Sequence, residues 1–433
     1  MSETKPIRGI GPGIFVTAAF IGPGTVLTAS QAGAEFGYGL LWAVGFSVVA
    51  AIVLQEMAAR LGIVSGKGLA EAIRNSVPLP ILRWGLLILV LGGILFGNAA
   101  YQTGNLLGAA SGLEILTQGS TPEVTIGQSF FGFQTMWSTV IAVIALTIIW
   151  IGRYRLLQIC LAGLVGVMGV LFLVSAIAIG PVWSDVAAGL VPQFPSNTKN
   201  DSTSQLWLVI GLVGTTVVPY NLFLHASGAA DRWSQAENVS KSVRQSMWDT
   251  VISVSIGGVI TGSLLITACV VCPNGKDLNH IREIAAQLRP VLGEWAEFAF
   301  AIGIFSAGLT SSITAPIAAG YATAGCFGKE PKLSNLFFKC VATGVVIAGL
   351  SCAVWMGSSP SQAIIGAQVA NGLLLPIIAI FLFIMVNRAK LMRGMVNGWI
   401  RNFLALFIIG ITLLMATRQF DSVLSKIGAL MNG

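Results

Sequence analysis

Charged side chains are scarce in this chain. Asp, Glu, Lys and Arg make up 9% of its 433 residues, against about 25% in an average soluble domain. So few charges cannot cover the surface of a soluble fold of this size, which excludes a soluble enzyme, a nucleic-acid-binding protein and a disordered protein. Histidine occurs twice, and the six cysteines lack the spacing of a zinc site. We therefore expect no enzymatic activity and no bound cofactor.

Long apolar runs dominate instead, since 55% of the residues are hydrophobic and the mean hydropathy is +0.82. These runs are too long and continuous for barrel strands, so helices must satisfy the backbone in lipid. A span needs about 20 residues. The chain is predicted to be an all-α polytopic membrane protein whose partners are the lipid bilayer and a small transported substrate. A single transmembrane domain over 1–433 would hold eleven helices, at about 10–33, 39–59, 85–110, 133–152, 157–180, 206–230, 250–272, 296–324, 340–357, 363–386 and 400–417.

The basic residues support this count. With the N-terminus in the cytoplasm and alternating spans, 18 of the 24 Lys and Arg residues fall on the cytoplasmic side. A missed span would scramble every later loop and destroy this bias, which follows the positive-inside rule. The distribution predicts a membrane protein with its N-terminus in the cytoplasm and its C-terminus outside. The net charge of +7 is then a sign of topology and does not indicate a nucleic-acid partner.

Two of the predicted spans carry a proline near their middle. The first contains Gly22-Pro23-Gly24-Thr25, and the sixth contains Val218-Pro219-Tyr220-Asn221. Proline removes a backbone donor and clashes with the preceding turn, so both helices should be broken at mid-membrane, with 22–25 and 218–220 unwound. Matched breaks in the first and sixth helices are typical of secondary transporters with a five-plus-five inverted repeat, here followed by an eleventh helix. Two packing kinks would be the simpler alternative.

Ionisable residues inside the predicted spans are few. Glu56 lies one helical turn before Arg60, which predicts an ion pair at a helix end. Glu297 begins the eighth span and is predicted to be interfacial. His225 follows the second break and is interpreted as a neutral core residue, with a proton relay as the alternative. Neither break has an acidic or basic residue beside it.

Several segments resemble the natural resistance-associated macrophage protein (Nramp) family of proton-coupled divalent metal transporters. The similar segments are QAGAEFGYGLLW at 31–42, LQEMAARLGIVSGKGLAEAIR at 54–74, VVPYNLFLH at 217–225 and AGLTSSIT at 307–314. The resemblance implies a leucine-transporter-like fold, and bacterial members commonly have eleven helices. It also implies a substrate site at the two breaks.

The chain departs from the family at the residues that do the family's chemistry. The family reads Asp-Pro-Gly-Asn in the first break and Met-Pro-His-Asn in the second. Here Gly22 replaces the Asp, Thr25 the Asn, Val218 the Met and Tyr220 the His, while Asn221 is kept. A bare divalent ion needs anionic ligands or retained water, and the methionine sulfur that selects soft metals is lost.

The other residues that align with site residues of the family are neutral as well. Ala19 matches a carbonyl ligand, Thr215 replaces an alanine that binds through its carbonyl, and Gln368 matches a tenth-helix glutamine. Gln102 and Asn105 stand where the family has an Asp and a Glu for proton transfer. Amides and tyrosine do not titrate near neutral pH, so proton coupling is predicted to be weak or absent.

Three functions remain open on the sequence. The first is transport of a divalent cation with altered selectivity, Mg²⁺ rather than Mn²⁺ or Fe²⁺. The second is transport of a small polar or zwitterionic solute, because a helix N-terminus attracts a carboxylate. The third is a sensor or scaffold that does not transport. In the first two cases the substrate site would comprise Ala19, Gly22, Thr25, Thr215, Val218 and Gln368, with Tyr220, Asn221, Gln102, Asn105 and His225 as polar neighbours.

Overall fold

The computed structural model describes residues 21–118, 132–152, 155–192, 202–233, 238–273, 281–330, 332–356 and 360–432. These residues form helices joined by short turns, and no strand occurs among them, so the all-α prediction is confirmed. The twelve long helices are α1 (Pro23–Phe36), α2 (Leu41–Ser65), α3 (Pro80–Gln118), α4 (Phe133–Ile151), α5 (Arg155–Ala178), α6 (Ser202–Thr216), α7 (Pro219–Trp233), α8 (Val239–Val271), α9 (Ala296–Phe327), α10 (Leu336–Met356), α11 (Pro360–Val386) and α12 (Trp399–Asn432).

Ten helical segments of the described chain are long and apolar enough to cross a membrane. One of them, Pro23–Ser65, contains both α1 and α2, which a 3-10 turn at Gly37–Leu40 separates. Gly37 has φ of 57°, a left-handed conformation that costs glycine little because it has no Cβ atom. The predicted spans 10–33 and 39–59 both end inside this one segment, Pro23–Ser65. The count of eleven helices therefore stays a prediction. Helix α12 continues to Asn432, beyond the predicted end at 417.

The second break lies between α6 and α7. Helix α6 ends at Thr216, Val217 and Val218 are not helical, and α7 begins at Pro219. Proline is well suited to the first position of a helix, where its missing N–H would find no partner in any case. Tyr220 therefore lies in the first turn of α7, and the prediction that it is unwound is wrong. The amide of Asn221 donates to the carbonyl of Val218 over 3.0 Å and closes that turn.

The C-terminal side of the first break is built in the same way as that of the second. Gly22 caps α1 with an extended backbone, and Pro23 occupies the first helical position. The amide of Thr25 donates to the Gly22 carbonyl over 3.0 Å. Thr25 is thus helical, so unwinding from 22 through 25 was the wrong prediction, because proline starts the second half of the helix. Ala19 lies outside the described residues.

Glycines allow several helices to pack with their backbones in contact. A Cβ atom on Gly112 of α3 would lie 2.8 Å from the Ala301 carbonyl oxygen of α9. On Gly62 of α2 it would overlap the Ala226 carbonyl oxygen of α7. Such close approach of small residues is how helices associate in membranes, where lipid is as apolar as the side chains. These contacts hold α3 against α9 and α2 against α7 around the two breaks.

The predicted ion pair near the end of α2 is confirmed. Arg60 Nε lies 2.9 Å from Glu56 Oε1, and both side chains are buried. Glu297 lies at the start of α9, is 34% exposed and pairs with Arg282 and Arg289, which agrees with a position at the end of the span. Neither carboxylate is available as an unpaired charge.

Candidate substrate site between the broken helices

A hydrogen bond joins the two broken helices. The hydroxyl oxygens of Thr25 in α1 and Thr215 in α6 lie 2.6 Å apart, and both side chains are fully buried. Thr25 is in the first turn after the first break, and Thr215 is in the last turn before the second. The structure therefore brings these two predicted site residues together from positions 190 residues apart in the chain.

Gly22, which the resemblance aligns with an aspartate, is surrounded by neutral oxygens. A Cβ atom on Gly22 would lie 3.2 Å from Ser311 Oγ, 3.3 Å from the Tyr101 hydroxyl oxygen and 3.8 Å from Asn105 Oδ1. Ser311 belongs to α9, and Tyr101 and Asn105 to α3. A hydroxyl, a phenol and an amide thus converge on the place where a side chain at position 22 would begin.

Two tyrosines connect the first break to the second. The rings of Tyr101 and Tyr220 have centroids 5.3 Å apart and meet at 62°, edge to face. Both side chains are buried. Because Tyr101 also approaches Gly22, this pair forms a continuous aromatic contact from the start of α1 to the start of α7.

Gln368 of α11 covers the first break from another side. A Cβ atom on Gly24 would overlap the amide of the Gln368 side chain, and one on Gly214 of α6 would overlap the Gln368 carbonyl oxygen. Only glycine at these two positions lets α11 come so close to both broken helices. The side-chain amide donates to the Ile364 carbonyl over 3.5 Å, and Gln368 Oε1 has no hydrogen-bond partner within the described part of the chain.

Other predicted polar residues lie further along the same helices. Gln102 donates to the Ser312 carbonyl over 3.2 Å and packs against Gly349 of α10. Asn221 and His225 are buried one turn apart on α7, and neither side chain finds a hydrogen-bond partner among the residues described here. Val218 lies in the non-helical link with its side chain buried.

The described part of the site carries no cluster of metal-binding side chains. In the described ranges, no three His, Cys, Asp or Glu residues come together in a way that could hold a metal ion. Glu35 accepts a hydrogen bond of 2.6 Å from Gln31, and Glu56 is paired with Arg60. The oxygens around the breaks belong to hydroxyl, amide and phenol groups. They can hydrogen-bond to a solute or to the water shell of an ion.

Sequence analysis missed Tyr101 and Ser311. Tyr101 directly precedes Gln102, which the sequence analysis names. Ser311 lies within the segment AGLTSSIT at 307–314, which resembles the family. Adjacent residues point about 100° apart on a helix. The pattern identified the correct stretch of α3, but it did not identify which residue faces the break.

A family model decides how this arrangement is classified. The model described as natural resistance-associated macrophage protein-like matches residues 13–420, nearly the whole chain. The chain belongs to the Nramp family. Its helices, its break at Val217–Val218 and its neutral polar site are therefore those of a family member.

Curated relatives match this Nramp protein over most of its length. The divalent metal cation transporter MntH 1 of Pseudomonas aeruginosa is 29% identical over 386 residues, which cover 87% of this chain and 83% of the relative. The divalent metal cation transporter MntH of Ralstonia nicotianae is 30% identical over 404 residues, covering 91% and 86%.

Solved structures show the fold of this Nramp protein. The manganese transporter of Eremococcus coleocola, solved with an aromatic bis-isothiourea substituted compound, matches with a TM-score of 0.77 at 23% identity. That match covers 97% of this chain and 90% of the other. MhsT in complex with L-phenylalanine matches with a TM-score of 0.59 at 14% identity, covering 98% and 100%. The predicted leucine-transporter-like fold of an integral membrane protein is thus confirmed.

Proposed function

We propose that this protein is a secondary transporter that moves divalent metal cations, with selectivity for Mg²⁺ rather than Mn²⁺ or Fe²⁺. Membership of the Nramp family and the metal cation transporters among its relatives support metal transport in general. The hydrogen bond between Thr25 and Thr215 carries the proposal about selectivity, because it brings two neutral hydroxyls together at the breaks. The charged and soft ligands that the resemblance implies are replaced there by Gly22 and Val218.

Selectivity for Mg²⁺ would follow from the neutrality of the site. Mg²⁺ gives up its water reluctantly and is usually bound with several waters retained. Hydroxyls of Thr25 and Thr215 and the amide of Gln368 suit the outside of such a water shell. Mn²⁺ and Fe²⁺ gain their advantage from softer or anionic ligands, and Gly22 and Val218 supply neither.

We further propose that proton coupling is weak or absent. A relay needs groups that gain and lose a proton along the route. Tyr220, Gln102 and Asn105 occupy the matched positions and are neutral near physiological pH. We place the transporter in a bacterial inner membrane, with its N-terminus in the cytoplasm and its C-terminus outside.

A small zwitterionic solute is a second candidate. Helices α1 and α7 both begin at the breaks, and the first turn of each lacks an acidic residue. Helix N-termini attract carboxylates, and a site without formal charge does not oppose them. The shared fold with MhsT, a structure that holds L-phenylalanine, is consistent with such a substrate.

Uptake into proteoliposomes separates these proposals. The purified protein is reconstituted and tested side by side with Mg²⁺, Mn²⁺ and a mixture of amino acids, against empty vesicles. We expect saturable Mg²⁺ uptake that excess amino acids do not inhibit. Amino-acid uptake without Mg²⁺ uptake would favour the second candidate, and uptake of neither would favour a sensor or scaffold.

A further inference from the structure

A basic cavity lies away from the broken helices, where the end of α2, the start of α8 and the turn before α12 meet. Its volume is about 290 Å³, and three arginines line it: Arg60, Arg244 and Arg401. Val243, Met247 and Met395 supply apolar walls. No acidic side chain lines this cavity in the part of the chain that the structure describes.

Arg60 lines the basic cavity, and most of its N–H donors already bond to other residues of the protein. Its Nε donates to Glu56 Oε1 over 2.9 Å, and one terminal nitrogen donates to the Met395 carbonyl over 2.6 Å. The other terminal nitrogen bonds to Asn397. These bonds fix the turn before α12 against the end of α2, so the cavity is preformed.

Arg244 and Arg401 supply the donors of the basic cavity. Arg401 is 45% exposed and lies 3.8 Å from Glu56, which already serves Arg60. Arg244 is exposed and takes part in no ion pair within the described residues. Two of the three guanidinium groups thus share one carboxylate and the third has none among the described residues, which leaves an excess of positive charge facing solvent. A guanidinium presents paired N–H groups that match a phosphate.

The surroundings place the basic cavity at the surface of the membrane. Trp248 and Trp399 are exposed beside it, as tryptophans are at the level of lipid headgroups. One or two turns further into the membrane, exposed apolar side chains continue along α8 at Ile252 and along α12 at Phe403. The positive-inside distribution predicts that all three arginines are on the cytoplasmic side.

We infer that the basic cavity binds the phosphate headgroup of an anionic phospholipid of the inner leaflet. Arg244 and Arg401 hold the phosphate, and the acyl chains run along the apolar faces of α8 and α12. Basic pockets between helices on the cytoplasmic side of membranes recognise headgroups of this charge. This inference does not depend on which substrate the protein transports.

The test measures the binding of short-chain phosphatidylglycerol to the purified full chain by native mass spectrometry, with phosphatidylcholine of the same chain length for comparison. Each lost arginine should weaken phosphatidylglycerol binding about fivefold, equivalent to about 1 kcal/mol. The variants are Arg244→Gln and the double variant Arg244→Gln/Arg401→Gln. Lys390→Gln is the matched control, since Lys390 is an exposed cation in the short helix Ala389–Met392, near α12, and does not line the cavity.

Preference for phosphatidylglycerol that falls in both arginine variants and persists in Lys390→Gln supports the inference. Arg244→Gln alone keeps the test valid if the double variant folds poorly, because Arg244 holds no other residue by an ion pair in the described chain. Equal affinity for the two lipids, or equal loss in Lys390→Gln, would overturn it. Binding of inorganic phosphate is measured as a third comparison. If phosphate bound as tightly as phosphatidylglycerol, the cavity would be a site for free anions and the inference would be wrong.

Discussion

Thr25 and Thr215 share one hydrogen bond of 2.6 Å, and this bond spans the junction between the two broken helices. Both hydroxyls are fully buried, so the bond between them is shielded from solvent. A substrate that enters between them must replace this bond with its own contacts. The pair is therefore a natural point of contact for an ion's water shell or a polar solute.

Thr215→Val should impair both stability and uptake. The change keeps the shape of the side chain but removes the buried hydrogen bond between Thr25 and position 215, which costs about 0.5–1.5 kcal/mol. We expect a lower unfolding temperature and a loss of Mg²⁺ uptake in proteoliposomes, whereas Thr215→Ser should retain both. Thr216→Val is the matched control, because that hydroxyl bonds back to the Leu212 carbonyl of its own helix. Equal loss in the control would argue against a special role for Thr215.

Wild-type protein should bind Mn²⁺ weakly, and Gly22→Asp should strengthen binding by about tenfold or more, because it adds an anionic oxygen ligand. The backbone of Gly22, at φ −103° and ψ −179°, accepts any side chain. The new Cβ would lie 3.2 Å from Ser311 Oγ, so a small shift of Ser311 is expected. Calorimetry with Mn²⁺ checks the affinity, with Gly22→Asn as the neutral control of equal size. Micromolar affinity in the wild type would show that carboxylates elsewhere reach the site.

Gly24→Ala should reduce uptake and also lower stability. The added methyl group would overlap the Gln368 side chain, which is fully buried, so the side chain has to be displaced within the packed interior. Displacement would remove the amide from the first break. Gly45→Ala is a suitable control, because a Cβ atom there meets nothing within 4 Å. Unchanged transport in Gly24→Ala would mean that Gln368 does not serve the substrate.

Uptake should depend little on external pH between about 5 and 7, the range in which an unperturbed histidine titrates. His225 is buried, and in the described structure neither of its ring nitrogens has a hydrogen-bond partner to pass a proton to. Internal acidification, recorded with a pH-sensitive dye during substrate uptake, tests this. Stoichiometric acidification that disappears in His225→Ala would establish His225 as a relay.

Glu56→Gln should destabilise the protein strongly. Arg60 is 2% exposed, and loss of its carboxylate leaves a buried charge uncompensated, a change that costs about 3–5 kcal/mol in other proteins. Glu297→Gln should cost at most about 1 kcal/mol, because that pair is partly exposed. Thermal unfolding in detergent compares the two variants. Similar unfolding temperatures would show that Asn397 and the Met395 carbonyl hold Arg60 without Glu56.

The positions of the breaks were predictable because proline acts locally, through its missing donor and its ring. The residues that are unwound at each break were not predictable. Pro23 and Pro219 both begin a helix, so the unwound residues precede them, and Thr25 and Tyr220 are helical. The Glu56–Arg60 pair was predictable from its spacing on a single helix. The approach of Tyr101 to Gly22 depends on the rotation of α3, which its packing against α9 determines.

The backbone contacts made by glycine also suggest where the protein can change shape. Helix α3 meets α9, and α2 meets α7, with main chain against main chain at Gly112 and Gly62. Such pairs cannot slide without a clash. The edge-to-face contact between Tyr101 and Tyr220 joins one pair to the other through side chains alone. Because α7 also packs against α9, we expect a movement that opens the site to one side of the membrane to change the contact between Tyr101 and Tyr220 together with that helix packing.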